Sequence, residues 1–421
     1  MEHKAKSKKR YLTLFIMALG ASAIYFLPFI RWTYYDSLKQ ALELNNTQFG
    51  TLLSAYGIAA MIFYFPGGWL ADRVSARRLL TFAFASTGIL GFYFSTYPSF
   101  NMLLIVHFIW GIISTLTFWS AMIKATRDLA NSDEQGRFFG LLEGGRGLLQ
   151  TVITMSALAV FTSLGAGVIG LTRVIIIFSF VNVFAAILTW FVLEDTKFSQ
   201  EQKPVLLDAL SVLKMPVVWL IAVIVITCYS TYLGTTYLTP YVTQVLGATA
   251  AMSALIAIIR NYGLQFFGGP FGGLVADKKG SSAQIVMYCF AIMLICMVFF
   301  LMLPASNSLI IVLLLNMLVM GLAIFMMRGI YFATLDEVGI PSNLTGSVVG
   351  IVSLIGFTPD VFFNPVAGHF LDVYPGVAGY KYIFILMTGF VTVGLVASIV
   401  LLNLINKSKS VKGHNQVEAR G

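Results

Sequence analysis

The chain has 421 residues, 58% of them hydrophobic and 11% charged, with a formal net charge of +9. A soluble domain of this size cannot reconcile that balance with a polar surface, so an integral membrane protein is expected. The apolar segments are long enough to cross a hydrocarbon core of about 30 Å as helices of about 20 residues, which excludes a barrel. The basic excess sits in short loops beside apolar runs, not on one face of a soluble domain, which excludes nucleic-acid binding.

The basic stretch His3 to Arg10 precedes a first apolar run at 11–30, which lacks a small-residue cleavage pattern and is expected to be retained as helix 1. Further apolar runs predict helices at 49–70, 79–97, 100–125, 138–161, 172–193, 216–238, 250–275, 283–303, 309–334, 346–371 and 382–405. With the N-terminus inside, 20 of the 27 basic residues fall in inner loops and tails and four on the outer side. That bias places both termini in the cytoplasm and the protein in the cytoplasmic membrane. The polar segment 194–214, with Pro204, reads as a cytoplasmic linker between bundles 1–193 and 215–406, and 407–421 as a cytoplasmic tail. Cys228, Cys289 and Cys296 lie in apolar segments and read as small buried hydrophobes. His3, His107, His369 and His414 have no metal-ligand spacing, so neither a metal nor a cofactor is expected.

One polar stretch interrupts the apolar runs twice. Gly67-Gly68-Trp69-Leu70-Ala71-Asp72-Arg73-Val74-Ser75-Ala76-Arg77-Arg78 recurs, weakened, from Gly272 to Gly280, and Asp72 and Asp277 are 205 residues apart. The chain therefore reads as two similar halves. The glycines allow close helix approach, the acid lies where a helix leaves the bilayer, and Arg73, Arg77 and Arg78 hold the turn on the cytoplasmic side. A further echo, Gly368-His369-Phe370-Leu371-Asp372, ends helix 11 with the same Gly-x-x-x-Asp spacing but on the outer face. An inverted repeat of three helices within each half would place it there.

Twelve helices, halves at this offset, and the loop Gly68…Asp72-Arg73…Arg77-Arg78 between helices 2 and 3 resemble the major facilitator superfamily over essentially the whole chain. The resemblance implies an all-α integral membrane fold of two pseudo-symmetric six-helix bundles, alternating access around a central cavity, and a conformational role for this loop. Arg31, followed by Tyr34-Tyr35, Thr47-Gln48-Phe49-Gly50 and Ser54-Ala55-Tyr56, is similar to the organophosphate and organic-anion transporters. Members of the organophosphate group carry a second arginine in helix 7, where residues 216–240 here contain neither Arg nor Lys.

An ionisable group at mid-bilayer costs at least ~2.5 kcal/mol, so each one is a site candidate. Arg31 reads either as an interfacial anchor beside Trp32, Tyr34 and Tyr35 or, if helix 1 continues toward Leu42, as a cavity residue together with those aromatics. Glu143 and Arg146 share one face of helix 5 and read as a neutralising pair, a substrate contact or a proton-coupling element. Arg260 lies deep in helix 8, with a partner on another helix, Asp360 among them, as the structural alternative. Lys124 in helix 4 and Arg328 in helix 10 are related by an offset of 204 and read as gate or snorkelling residues. Asp360 follows Pro359 in a helix expected to kink there, and reads as a cap of the broken helix or as a proton carrier. His107 reads as a packing residue.

No Walker loop and no soluble domain are present to support a primary pump or a membrane enzyme. The leading expectation is a monomeric secondary transporter moving a small organic solute through the lipid bilayer, coupled to protons or to exchange. The alternatives are a drug or cation exporter and a transporter-like sensor. Arg31, Arg146 and Arg260 against Glu143 and Asp360 leave a small positive excess that favours an anion such as a sugar acid, carboxylate or sugar phosphate. Expected substrate contacts are Arg31, Tyr35, Arg146 and Arg260. Expected coupling or gating residues are Glu143, Asp360, Asp72, Arg73, Arg77, Arg78, Asp277, Lys124 and Arg328.

Overall fold

Among the described residues, twelve long helices carry the chain. The computed structural model describes residues 2–71, 73–129, 135–195, 214–304, 306–340 and 345–418. The helices are α1 Glu2–Ala23, α2 Asn46–Ala71, α3 Ala76–Phe94, α4 Phe100–Leu129, α5 Gln135–Ser163, α6 Val168–Val192, α7 Pro216–Gln244, α8 Ala250–Lys279, α9 Ser282–Met302, α10 Ile310–Glu337, α11 Val348–Val373 and α12 Val377–Lys407. Eight of them, α4 and α6 to α12, are long and apolar enough to cross a membrane by length and composition.

The first helix departs from the expected 11–30. It stops at Ala23, gives way to turns, and resumes as a 3-10 turn Ile30–Trp32 and a short helix Tyr35–Ala41. Pro28 explains the break, because it has no amide hydrogen and disfavours helical geometry in the residue before it. The freed end of α1 is closed from α6, where the buried Asn182 side chain donates to the Ala23 carbonyl at 2.9 Å.

Two helices contain wider π turns, Ile113–Trp119 in α4 and Ile259–Gly263 in α8. Such turns commonly mark functional stretches inside long helices. In α4 the segment packs closely on α2, where a methyl added at Gly111 would strike the Tyr56 carbonyl and one at Gly67 the Thr115 carbonyl. His107 lies on the same helix between the rings of Phe94 and Trp110, its Nδ1 2.8 Å from the Leu103 carbonyl, as a packed and satisfied residue. The three cysteines are free and buried.

By contact the chain forms two units. The first is Met1–Glu201 with Thr236–Phe266 and Asp360–Gly376, and the second is Gln202–Thr235 with Phe267–Pro359 and Val377–Gly421. The first unit thus holds α1 to α6 together with the last part of α7, the first part of α8 and the last part of α11. In the second, α12 packs on α7 and α9, with Gly394 against Phe290 and Thr227.

Candidate functional site

The best-defined polar cluster lies in the first unit, at the end of α2 remote from the Asp72 loop. Arg31 is its hub. The 3-10 turn after Pro28 places this side chain, 2% exposed, against α2, where its Nη1 donates to the Phe49 carbonyl at 2.8 Å. Its Nη2 donates to the Tyr237 hydroxyl at 3.3 Å, and the guanidinium carbon lies 4.4 Å from the Phe49 ring centre and 5.1 Å from that of Tyr35. Among the described residues no carboxylate pairs with Arg31, and its Nε is buried without a partner. A guanidinium surrounded by neutral groups keeps an uncompensated charge.

From Arg31 the network continues into α7 and α11. The Tyr237 hydroxyl donates to the Asn364 carbonyl at 2.8 Å, beside Pro365. Tyr35, 1% exposed, donates to Asn46 Oδ1 at 3.1 Å, and Lys39 donates to the same oxygen at 2.9 Å. Arg260 lies in the π turn of α8, 1% exposed, with Nε donating to Asn261 Oδ1 and Nη2 to Thr239 Oγ1, both at 3.2 Å. Thr239 in turn donates to the Trp32 carbonyl at 3.0 Å, which ties α7 to the turn that holds Arg31. Asp36 accepts from Thr243 and Gln244 at the end of α7.

Two backbones meet closely in the same region. A methyl at Gly50 would overlap the Asn364 carbonyl, one at Gly368 the Asn46 carbonyl, and one at Gly57 the Asp360 backbone. Asp360 sits in the first turn of the segment Pro359–Val373, after the break at Phe357 and Thr358. At the end of that segment Asp372 accepts from Asn46 and Thr47 at the start of α2.

Away from this cluster, Glu143 and Arg146 form the expected pair at 3.0 Å, the arginine side chain 14% exposed and the glutamate 51%. The Arg146 guanidinium also lies 5.7 Å from the Tyr25 ring centre. Asp72 lies outside the described residues. Lys124 donates to the Ala71 carbonyl at 2.8 Å, closing the end of α2. Arg73 covers Trp69, Arg77 lies 4.3 Å from the Trp190 ring centre, and Arg78 reaches Asp195 at 3.9 Å. The Ser75 hydroxyl, followed by Arg77 and Arg78, holds the Asp195 carboxyl below its usual pKa. Asp277 is exposed and makes no ion pair among the described residues.

In the second unit, Arg328 lies over the Tyr232 ring at 4.1 Å. Glu337 at the end of α10 accepts from Ser281 and from the first amides of α9.

The sequence profile of the Major Facilitator Superfamily matches residues 10–359. The chain belongs to that superfamily. The inner membrane protein YihN of Escherichia coli (strain K12) is 31% identical over 411 residues, which span 96% of this chain and 98% of YihN. The inner membrane protein YqcE of the same organism is 29% identical over 405 residues, 94% of each chain. Among solved structures, the nucleoside transporter NupG matches with a TM-score of 0.70 at 15% identity, covering 94% of this chain and 98% of that one. A bacterial homolog of the human lysosomal transporter Spinster, inward-facing and occupied, matches with a TM-score of 0.70 at 12% identity over 96% and 98%. The superfamily expectation from the repeated loop therefore holds: this is an all-helical membrane protein of the twelve-helix transporter fold.

Within this superfamily member, the structure brings Arg31, Tyr35 and Arg260 into one polar network of the first unit, Arg260 through Thr239 and the Trp32 carbonyl. Glu143 with Arg146 lies elsewhere on α5, and Arg328 belongs to the second unit. Sequence reasoning missed Asp36, Asn46, Tyr237, Thr239 and Asn364. Pro28 was the available signal, because a break there turns Arg31 off the helix axis and toward α2. The hydroxyl and amide partners carry no charge pattern to mark them.

Proposed function

We propose that this protein is a secondary transporter that moves a small organic anion, a sugar acid, carboxylate or sugar phosphate, by alternating access. The observation that carries the reading is Arg31, a guanidinium 2% exposed whose partners are all neutral. A planar fork with a spare buried N–H is suited to a carboxylate or phosphate, which supplies the missing charge with two hydrogen bonds. The cluster joining α1, α2, α7, α8 and α11 is then the closed outer end of the pathway, and opening it exposes Arg31. Both termini lie in the cytoplasm, and Asp360 is the carboxyl that couples transport to protons.

A thermal-shift panel of sugar acids, carboxylates, sugar phosphates, nucleosides and organic cations, followed by calorimetry on the best hit, tests this reading. An anion should stabilise the purified protein, and Arg31→Gln should weaken its binding by at least tenfold. A neutral or cationic best ligand, or normal anion binding by Arg31→Gln, overturns it. In proteoliposomes Asp360→Asn should abolish proton-driven accumulation while sparing exchange. Unchanged accumulation would make Asp360 a helix cap.

A further inference from the structure

The second unit has a cation of its own. Arg328 lies in the last turn of the straight part of α10, Ile310–Ile330, ahead of the 3-10 turn Tyr331–Ala333 and the short final turn that ends at Glu337. Within the described part of that unit, α7, α9 and α12 contain no acid, and the acids of α8 and α10 are Asp277, Asp336 and Glu337, all at helix ends. No carboxylate pairs with Arg328 among the described residues.

Packing aims this side chain. Gly268 and Gly272 of α8 leave no room for a methyl against Phe325 and Met326, and a methyl at Gly329 would lie 2.8 Å from Gly269. That backbone contact sets the rotation of α10 and turns Arg328 toward α7. Its guanidinium carbon lies 4.1 Å from the Tyr232 ring centre, 5.7 Å from Phe325 and 5.9 Å from Tyr229. Tyr229 is braced edge-on by Phe357 at 4.8 Å, and the Tyr331 hydroxyl stands beside the guanidinium. Tyr232 and Tyr331 are buried, whereas Arg328 and Tyr229 are partly exposed. A guanidinium stacked on an aromatic face keeps its plane, and with one N–H directed at the Tyr331 hydroxyl its remaining edge groups form the fork that takes an oxyanion bidentately.

We infer that Arg328, stacked on Tyr232 and flanked by Tyr229 and Tyr331, is an oxyanion receptor that binds a carboxylate or phosphate group of the transported solute. This extends the anion reading above and assigns Arg328 to binding rather than to gating. The shared chemistry is an oxyanion, and a lipid phosphate is the other source of one.

The test labels the purified full-length protein with phenylglyoxal, a dicarbonyl that modifies open arginines, and reads Arg328 by peptide mass spectrometry. Labelling should occur and should slow at least fivefold with millimolar inorganic phosphate or gluconate. No labelling, or labelling unaffected by either anion, overturns the inference. Protection by phosphatidylglycerol nanodiscs but by neither soluble anion also overturns it, in favour of a headgroup site. Calorimetry with the anion giving the stronger protection should show about tenfold weaker binding for Arg328→Lys and Tyr232→Leu, with Tyr232→Phe near wild type. Equal binding by Arg328→Lys and wild type overturns the stacked-fork geometry even if Arg328→Gln fails to fold. If anions bind wild type and Arg328→Gln alike, this inference alone fails. If no anion binds wild type, the anion reading fails with it.

Discussion

Asp372 holds Asn46 by two hydrogen bonds to one carboxylate oxygen, from the backbone amide at 3.0 Å and from the side-chain Nδ2 at 2.8 Å. Its other oxygen accepts from Thr47, at 2.8 Å from the amide and 2.6 Å from the hydroxyl. The first amides of a helix have no partner within it and carry a partial positive charge, so a carboxylate there is a favourable cap. Here the cap of α2 comes from the far end of α11. Asp277, which ends α8 with the same Gly-x-x-x-Asp spacing, makes no such contact among the described residues.

Asp372→Asn should therefore favour opening of this end of the first unit. Charge-assisted hydrogen bonds contribute about 1.5–3 kcal/mol when buried, and exposure at Asp372 reduces the group to about 1–2 kcal/mol, or a five- to thirtyfold shift in population. An impermeant maleimide should label a cysteine placed at the buried Ser37 correspondingly faster in the Asp372→Asn background. Equal labelling rates would mean that the cap does not hold this end shut.

The glycines of the same contact give a second expectation. Gly50→Ala and Gly368→Ala add a methyl where a backbone carbonyl already sits, whereas Gly68 and Gly273 face open space. Overpacking of this kind costs about 1–3 kcal/mol. Thermal unfolding of the first pair should fall by several degrees, or the closed end should open in the labelling assay, while Gly68→Ala and Gly273→Ala change neither.

Arg31→Lys keeps the charge but loses the fork that spans the Phe49 carbonyl and the Tyr237 hydroxyl. We expect intermediate anion affinity, between wild type and Arg31→Gln, read by calorimetry. Tyr237→Phe, which removes the hydroxyl between Arg31 and Asn364, should weaken closure with little change in substrate charge preference.

The loop between α2 and α3 supplies a pH expectation. Asp195 is held below its ordinary pKa first by Ser75, so its contribution is present above the unfolded value and is lost as pH falls through the lower folded one. The contact of this loop with the end of α6 should therefore persist through the ordinary aspartate range and release only in stronger acid. In a variant whose other five tryptophans are replaced by phenylalanine, Trp190 emission should stay constant on acidification through that range. Asp195→Asn should shift it already at neutral pH.

Hydrophobic runs located the long helices of this membrane protein, because crossing a bilayer demands length and apolarity that are written along the chain, and eight of the twelve described meet that demand by length and composition. The spacing of Asp72 and Asp277 likewise exposed the repeat and the superfamily. The pairing of Glu143 with Arg146 was readable too, since three positions on one helix must share a face. The surroundings of Arg31 were decided only by tertiary structure. Its partners Phe49, Tyr237 and, through it, Asn364 are distant in sequence and uncharged, and they meet because Pro28 breaks α1 and glycines let α2 and α11 touch. The same holds for Asp372 and Asn46, 326 positions apart. Which end of which helix a carboxylate caps depends on helix rotation and approach, and these are set by packing across the fold and not by any local pattern.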